Sequence, residues 1–236
     1  MMRIAVIPAR SGSKRIPEKV LQKVGNTTLL ERTIEACRNS ELFDEILLST
    51  DSLKIAQIAQ KMGIRVPFLR EKFLDDLSPV SLATAHTLET FSKLSGDLDD
   101  GIVIQAMPTC PFLSAGTIVT LFREYLRYDS EDSVLSCTRA DPLVRFSFQL
   151  DEFGLPRYLD PTIDPISRTQ DHPPIFLPSG AVWISSVQKL IKRRDFYSGT
   201  IRFREINFWE GFDIDTPEQL ELARHMAGIK EKTEKL

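Results

Sequence analysis

Arg3-Ile-Ala-Val-Ile-Pro-Ala-Arg-Ser-Gly-Ser-Lys-Arg-Ile-Pro-Glu-Lys19 is a short β-branched run that passes straight into a loop crowded with cations. Arg3–Ile7 reads as a strand, and the apolar run Ile4–Pro8 is too short for a signal peptide or a membrane span. In an open parallel sheet, ligands sit beyond the carboxyl ends of the strands, so the loop Pro8–Lys19 lies where an anion belongs. Gly12 lets backbone approach a ligand, while Ala9, Ser11 and Ser13 supply main-chain and hydroxyl donors. Arg10, Lys14, Arg15 and Lys19 bring four positive charges within ten residues, enough for a triphosphate. The spacing is neither G-x-x-x-x-G-K-[ST] nor G-x-G-x-x-G. A solvated basic surface loop is the competing reading on composition alone, and placement after the first strand weighs against it.

Outward from this loop, β-branched runs alternate with amphipathic stretches: Thr28–Asn39, Glu45–Ser49, Leu53–Met62, Val66–Leu69, Val80–Leu94, Ile102–Gln105, Ala115–Tyr128 and Ser133–Thr138. That rhythm predicts an α/β fold, a Rossmann-like, mostly parallel sheet flanked by helices. Ile55, Ile58, Ala59 and Met62 form one buried stripe, and Gly63 stops the helix as a left-handed cap. Between 139 and 178 seven prolines and scattered aromatics replace the rhythm. This segment reads as an inserted arm on a single domain spanning 1–236. Phe146–Leu150 alternates like a strand and Asp151–Gly154 reads as a turn, which predicts a hairpin. An arm of this length either closes over a ligand or contacts another subunit. The rhythm returns with Ala181–Ser185, Val187–Lys192, Ile201–Ile206 and a helix from Thr216 to Met226, before a charged, frayed tail at Lys230–Leu236.

With 42% hydrophobic and 27% charged residues and a net charge of −3, the chain falls in the globular class, with no basic field for nucleic acid. Its three cysteines, Cys37, Cys110 and Cys137, lack metal-ligand spacing, so a reducing, cytoplasmic setting is expected. His86, inside an apolar helical stretch, reads as a satisfied core histidine, Cys110 as a packed residue, and Trp183 and Trp209 as core.

Asp213-Ile-Asp215 places two carboxylates at i and i+2, on one face of an extended segment with Ile214 on the other. Such a pair can share a divalent ion, with positions left for phosphate and water. Thr216-Pro-Glu218 is an equally good helix start, so Asp215 as a mere cap stays open.

The chain resembles the CMP-nonulosonic acid cytidylyltransferases, the CMP-sialic acid synthetase family. The likeness begins with Ile7–Pro17 and continues through Ser49-Thr-Asp51, Pro67-Phe-Leu-Arg70, Pro108-Thr-Cys-Pro111, Arg168-Thr-Gln-Asp171 and Asp213–Pro217, nearly the whole chain. It implies a nucleotide-diphospho-sugar transferase type of fold and transfer of CMP from CTP to an acidic sugar. It further implies Mg2+ on Asp213 and Asp215, catalytic roles for Arg10, Lys14, Lys19 and Asp215, and nucleotide contacts from Arg70 and Ser78. On the sugar side it implies Gln105, Thr109, Arg168, Gln170 and Phe176, with the arm of residues 139–178 reaching a partner subunit in a homodimer. Arg168 suits a carboxylate, as do Arg145 and Arg157; pairing of Arg168 with Asp164 or Asp171 is the alternative. No membrane and no nucleic-acid partner is implied.

Four positions depart from the family pattern. Val20 stands in place of Asn, Met107 in place of Gln or Tyr, Phe176 in place of Tyr and Ser179 in place of Asn. Each removes a polar group near the expected ligands and leaves the sugar open among sialic, legionaminic and pseudaminic acid types. A CMP-Kdo synthetase is the nearest rival, although Met107–Pro111 lacks that family's acidic Gln-Gly-Asp-Glu-Pro. A silent nucleotide-binding relative is another, against which stands the retained set Arg10, Lys14, Lys19, Asp213 and Asp215.

Overall fold

The computed structural model describes residues 1–74, 78–96, 98, 100–129, 132–164 and 166–233. Strand β1 (Arg3–Pro8) leads through the cation-rich loop to a short ladder of β2 (Lys23–Val24) and β3 (Thr27–Thr28), then to helix α1 (Leu29–Asn39). There follow β4 (Glu45–Ser49), α2 (Leu53–Lys61), α3 (Val80–Ser95), β5 (Ile102–Ala106), α4 (Ala115–Tyr125) and β6 (Ser133–Arg139). The arm carries a hairpin of β7 (Phe148–Leu150) and β8 (Pro156–Tyr158). It leads into β9 (Phe176–Ser186), α5 (Val187–Arg193), β10 (Ile201–Glu205) and α6 (Pro217–Thr233).

The central sheet has the order β10-β6-β9-β5-β1-β4. β1 is parallel to both β4 and β5, and β10 to β6, whereas β9 is antiparallel to β5 and β6. The sheet is thus mostly parallel with one reversed strand. β9 enters from the arm and not from a crossover helix, so no βαβ connection fixes its direction. It begins at Phe176, inside the segment read as arm, and Pro178 sits beside the register shift between Leu135 and Cys137, where a missing N–H is tolerated.

Ile4, Ala5, Val6 and Ile7 of β1 are all fully buried, because helices cover both faces of the sheet. Ala5 and Ile7 pack with Leu30 and Ile34 of α1, Ile55 and Ala59 of α2, and Ile118 and Leu121 of α4. Ile4 and Val6 pack with Leu88 and Phe91 of α3 and with Val187 and Leu190 of α5. α1 starts on a capping box: the Thr28 hydroxyl accepts from the Glu31 amide at 3.2 Å while Glu31 Oε2 accepts from the Thr28 amide at 2.7 Å. Gly63, at φ +74°, follows α2 in the left-handed conformation expected of it.

Several boundaries moved. Val66–Leu69 forms no strand, only bridges flanking Pro67 (Leu47 to Arg65, Thr50 to Leu69). α4 ends at Tyr125, three residues short of Tyr128. α6 runs past Met226 to Thr233, so the tail does not begin at Lys230; residues 234–236 lie outside the described residues. Leu220, Ala223 and Ala227 keep one face of α6 against Ile16, Val24, Leu29 and Ile214, which holds the helix beyond the expected end.

Candidate active site

Beyond the carboxyl ends of β1 and β5 lies a cavity of about 470 Å³, lined by Arg10, Ser13, Lys14, Arg15 and Lys19 from the first loop and by Met107, Pro108 and Thr109 after β5. The chain leaves β1 toward β4 on one side and later returns to β5 on the other, so the cavity occupies the point where strand order reverses. Arg70, Phe73, Ser78, Pro79, Val80 and Ala83 close one wall, and Asp215 and Val20 complete it. The volume is that of a small-molecule site.

The loop is braced by groups the sequence reading had not assigned. Asp51 Oδ1 accepts from the Ser11 amide at 2.7 Å and its Oδ2 from the Ser11 hydroxyl at 2.8 Å. Ala9 is buried, its amide donating to the Ser49 carbonyl at 2.9 Å, so it fixes the loop's root and does not line the cavity. Gly12 has open space where a Cβ would stand. Arg10 Nη1 donates to the Leu74 carbonyl at 3.1 Å.

The acidic pair alternates as its spacing predicts. Ile214 is fully buried among Ile16, Val24 and Leu29, and its amide donates to the Thr109 carbonyl at 2.9 Å, stitching the pair to the loop after β5. The capping role belongs to Thr216, whose hydroxyl accepts from the Gln219 amide at 3.3 Å, while Gln219 Oε1 accepts from the amides of Asp215 and Thr216. Asp215 is therefore free of cap duty and faces the cavity. Lys19 Nζ reaches Asp215 Oδ1 at 3.0 Å and the Ile214 carbonyl at 2.8 Å, and Arg15 reaches the same Oδ1 at 3.3 Å. Asp213 sits behind, with its Oδ1 buried and without a hydrogen-bond partner among the described residues. Burial pushes its carboxyl above the usual range and Asp215 adds to the shift, while Thr109, Lys19 and Arg15 oppose it.

The cation-rich loop, Asp215 of the acidic pair and a cavity of small-molecule size meet at one switch point. The family profile described as Cytidylyltransferase matches residues 4–235. The chain belongs to the cytidylyltransferase family. Among similar proteins, CMP-N,N'-diacetyllegionaminic acid synthase of Legionella pneumophila is 30% identical over 91% of each chain. Pseudaminic acid cytidylyltransferase of Campylobacter jejuni is 27% identical over 95% of each. N-acylneuraminate cytidylyltransferase of Escherichia coli is 26% identical over 93% of this chain and 51% of that protein. The fold is shared with a CMP:2-keto-3-deoxy-manno-octonic acid synthetase complexed with CTP (TM-score 0.73, 17% identity, 98% and 100% of the two chains). It is shared also with 4-diphosphocytidyl-2C-methyl-D-erythritol synthase of Anaerococcus prevotii (TM-score 0.65, 15% identity, 96% and 98%). This chain is thus a nucleotidyltransferase.

In this cytidylyltransferase the expected nucleotide residues Arg10, Ser13, Lys14, Lys19, Arg70 and Ser78 do converge on the cavity, and Thr109 joins them. Gln105 does not: it is fully buried in β5, its Oε1 accepting from the Thr84 hydroxyl at 2.5 Å and its Nε2 donating toward Met107 Sδ at 3.9 Å. Arg168, Gln170 and Phe176 do not line the cavity either. Arg168 is exposed and, among the described residues, makes no ion pair with Asp164 or Asp171. Gln170 borders a separate arm cavity of about 210 Å³ with Arg145 and His172, and Phe176 carries the Arg139 guanidinium 5.8 Å from its ring centre. Arg145 Nη2 donates to the Pro173 carbonyl at 3.0 Å and Arg157 Nε to Asp151 at 3.2 Å, so both are engaged within the arm. Of the four departures, Val20 and Met107 line the cavity, while Ser179 bonds the Gly211 carbonyl and the Ala181 amide within β9's surroundings.

Arg15, one of the four loop cations counted toward a triphosphate, lines the cavity, and Phe73, Pro79, Val80 and Ala83 line it although the sequence reading assigned them no ligand role. His86 is not the satisfied core histidine expected. Its ring stands edge-on to Phe68 and Phe73, and its buried Nδ1 has no partner among the described residues. Trp209 lies half-buried in a cluster with Phe112, Phe208 and Phe212, outside the core. Trp183 packs partly buried on the core, its indole N–H donating to the Ser179 carbonyl at 2.7 Å.

Proposed function

We propose that this enzyme transfers CMP from CTP to the anomeric hydroxyl of an acidic nine-carbon sugar of the sialic, legionaminic or pseudaminic type, releasing pyrophosphate for surface glycan synthesis. The observation that carries the reading is the meeting of Arg10, Lys14 and Lys19 with Asp215 and buried Arg70 around one cavity. Relatives whose names specify such sugars align over more than nine-tenths of the chain.

Asp213 and Asp215 suit a divalent cation, and Mg2+ is the one proposed. Asp213 Oδ1 is buried without a partner, and a Cβ on Gly180 would come within 3.4 Å of Asp213 Oδ2, so glycine there leaves the carboxylate room. Among the described residues no group of three or more His, Cys, Asp and Glu side chains could enclose a metal, so phosphate and water would complete the set. When bound, the cation would neutralise charge on the triphosphate and help orient it.

The chain's own residues would do the rest. Arg10, Ser13 and Lys14 hold the phosphate chain, and Arg70 with Ser78 faces the base side. The anomeric oxygen attacks the α-phosphorus in line; its bond to phosphorus forms as the bond to the pyrophosphate oxygen breaks, and the hydroxyl proton is lost to solvent. Cations around the departing pyrophosphate stabilise the charge it gains, so catalysis is mostly alignment and electrostatics. Phe73, Val80 and Ala83 form an apolar stretch of the cavity wall.

The arm exposes Leu150, Phe153 and Ile166 at 70%, 80% and 90%. That apolar surface supports a homodimer in which Arg168 and Gln170 serve the partner's sugar site. No helix among the described residues is long and apolar enough to cross a membrane.

Pyrophosphate release from CTP with a panel of nonulosonic acids tests the proposal. Turnover should appear with at least one of them and vanish in Arg10→Ala and Asp215→Ala proteins that still fold. Turnover with Kdo alone, or CTP binding without any turnover, would reject it.

A further inference from the structure

Asp215 and a triphosphate have a claim on the same two cations. Lys19 and Arg15 both contact Asp215 Oδ1, at 3.0 and 3.3 Å. The Lys19 side chain is only 16% exposed and is also held by the Ile214 carbonyl, so its pairing is shielded from water; that of Arg15, at 63% exposure, is screened. An ammonium or guanidinium spent on a carboxylate has fewer donors for phosphate oxygens. While Asp215 holds both cations, a polyanion entering this corner of the cavity meets less of their positive charge. Once Asp215 is shared with a divalent cation, Lys19 and Arg15 can turn their donors to phosphate.

Resting on the cytidylyl-transfer reading of the cavity, we infer that Arg15 joins Lys19 as an exchange cation, each held by Asp215 until a divalent cation claims that carboxylate. Asp215 therefore has two opposite effects on CTP. With divalent cation it strengthens binding; without, it weakens binding by repelling the phosphates and detaining their cations. The site selects the metal complex of CTP over the bare nucleotide. Arg15, a lining residue, becomes a phosphate-positioning group whose use depends on Asp215.

Calorimetric titration of CTP into the protein, in EDTA and then in Mg2+, tests this. In EDTA the Asp215→Asn protein should bind CTP about three- to tenfold more tightly than wild type, and in Mg2+ the order should reverse. Adding Arg15→Gln to Asp215→Asn should remove about threefold of the gain in EDTA. Asp215→Ala removes the same charge and keeps the backbone amide for Gln219, so it should repeat the result, with thermal melting confirming that each variant folds. If neither neutral variant binds CTP better than wild type in EDTA, the exchange is wrong while the cavity remains a CTP site. Wild type that binds CTP in neither buffer would defeat the functional reading and this inference with it.

Discussion

Arg70 is 4% exposed and its Nη1 donates to Ser49 Oγ at 3.0 Å, a hydroxyl that also accepts from Thr87 at 2.7 Å. Arg70 Nε has no partner, and among the described residues no carboxylate forms an ion pair with it. Burial lowers its pKa, with Asp51 opposing the shift and Arg10 adding to it. A buried cation short of acceptors is costly unless a ligand supplies them. Arg70→Met should therefore leave the ligand-free protein as stable as wild type or more so. It should weaken CTP about ten- to hundredfold, the loss of one charge-assisted hydrogen bond worth about 1.5–3 kcal/mol. Melting curves with and without CTP check both halves; a destabilised protein with unchanged CTP affinity would make Arg70 a purely structural residue.

His86 stands 5.1 Å from the Phe68 ring and 5.8 Å from that of Phe73, which lines the cavity in a left-handed conformation at φ +58°. Burial depresses its pKa below the ordinary 6.5; Glu89 opposes this, while Lys72, Arg194 and Arg70 add to it. Between 6.5 and the lower folded value the unfolded chain binds more protons, so stability falls as pH drops through that window and levels off below it. His86→Phe keeps an aromatic ring against Phe68 and Phe73 but cannot titrate. Its thermal midpoint should fall less steeply than that of wild type on acidification from about pH 7 to 5. Parallel curves would assign the acid sensitivity elsewhere.

Met107 lines the cavity where Gln or Tyr is usual in the family it resembles, and its amide is fixed to the Ala181 carbonyl at 3.2 Å. Because the backbone is pinned, Met107→Gln changes only what the side chain offers a ligand. Relative kcat/KM across a panel of nonulosonic acids should shift about tenfold, the worth of one added or lost polar contact, while KM for CTP stays within about twofold. Val20 is a harsher site at 4% exposure: an amide there without a partner costs about 1–3 kcal/mol, so Val20→Asn should lower the melting temperature. Equal effects of Met107→Gln on CTP and on every sugar would remove Met107 from sugar selection.

What could be read from the sequence was whatever local chemistry dictates. The cation loop announces itself because charge and glycine follow a strand. The alternation of Asp213, Ile214 and Asp215 survives because Ile214 has a core to enter. Gln105, a sugar-side residue only by the resemblance, lies in a strand whose every residue is buried, so no local pattern marks which side chain meets a ligand. The reversal of β9, the clamp of Asp51 on Ser11, the backbone of Phe73 and the claim of Arg15 on Asp215 depend on distant segments meeting. None leaves a periodic trace.

Arg168 and Asp215 belong to different surfaces of one protomer, yet the proposed reaction needs both at the sugar and the phosphate. If the arm delivers Arg168 to a partner's cavity, each site is built from two chains. Arg168→Ala and Asp215→Asn should then each abolish turnover as homodimers. In a mixed dimer one site gathers both substitutions and the other gathers neither. Co-refolded in equal amounts, two inactive variants give mixed dimers as half of the population, so about a quarter of wild-type turnover should return. Ile166→Asp, which puts a charge on an arm residue that is 90% exposed, should shift sedimentation toward monomer and remove activity in parallel. Were the two inactive proteins to stay silent after mixing while sedimenting as dimers, Arg168 would serve its own chain or none, and the shared site would be rejected.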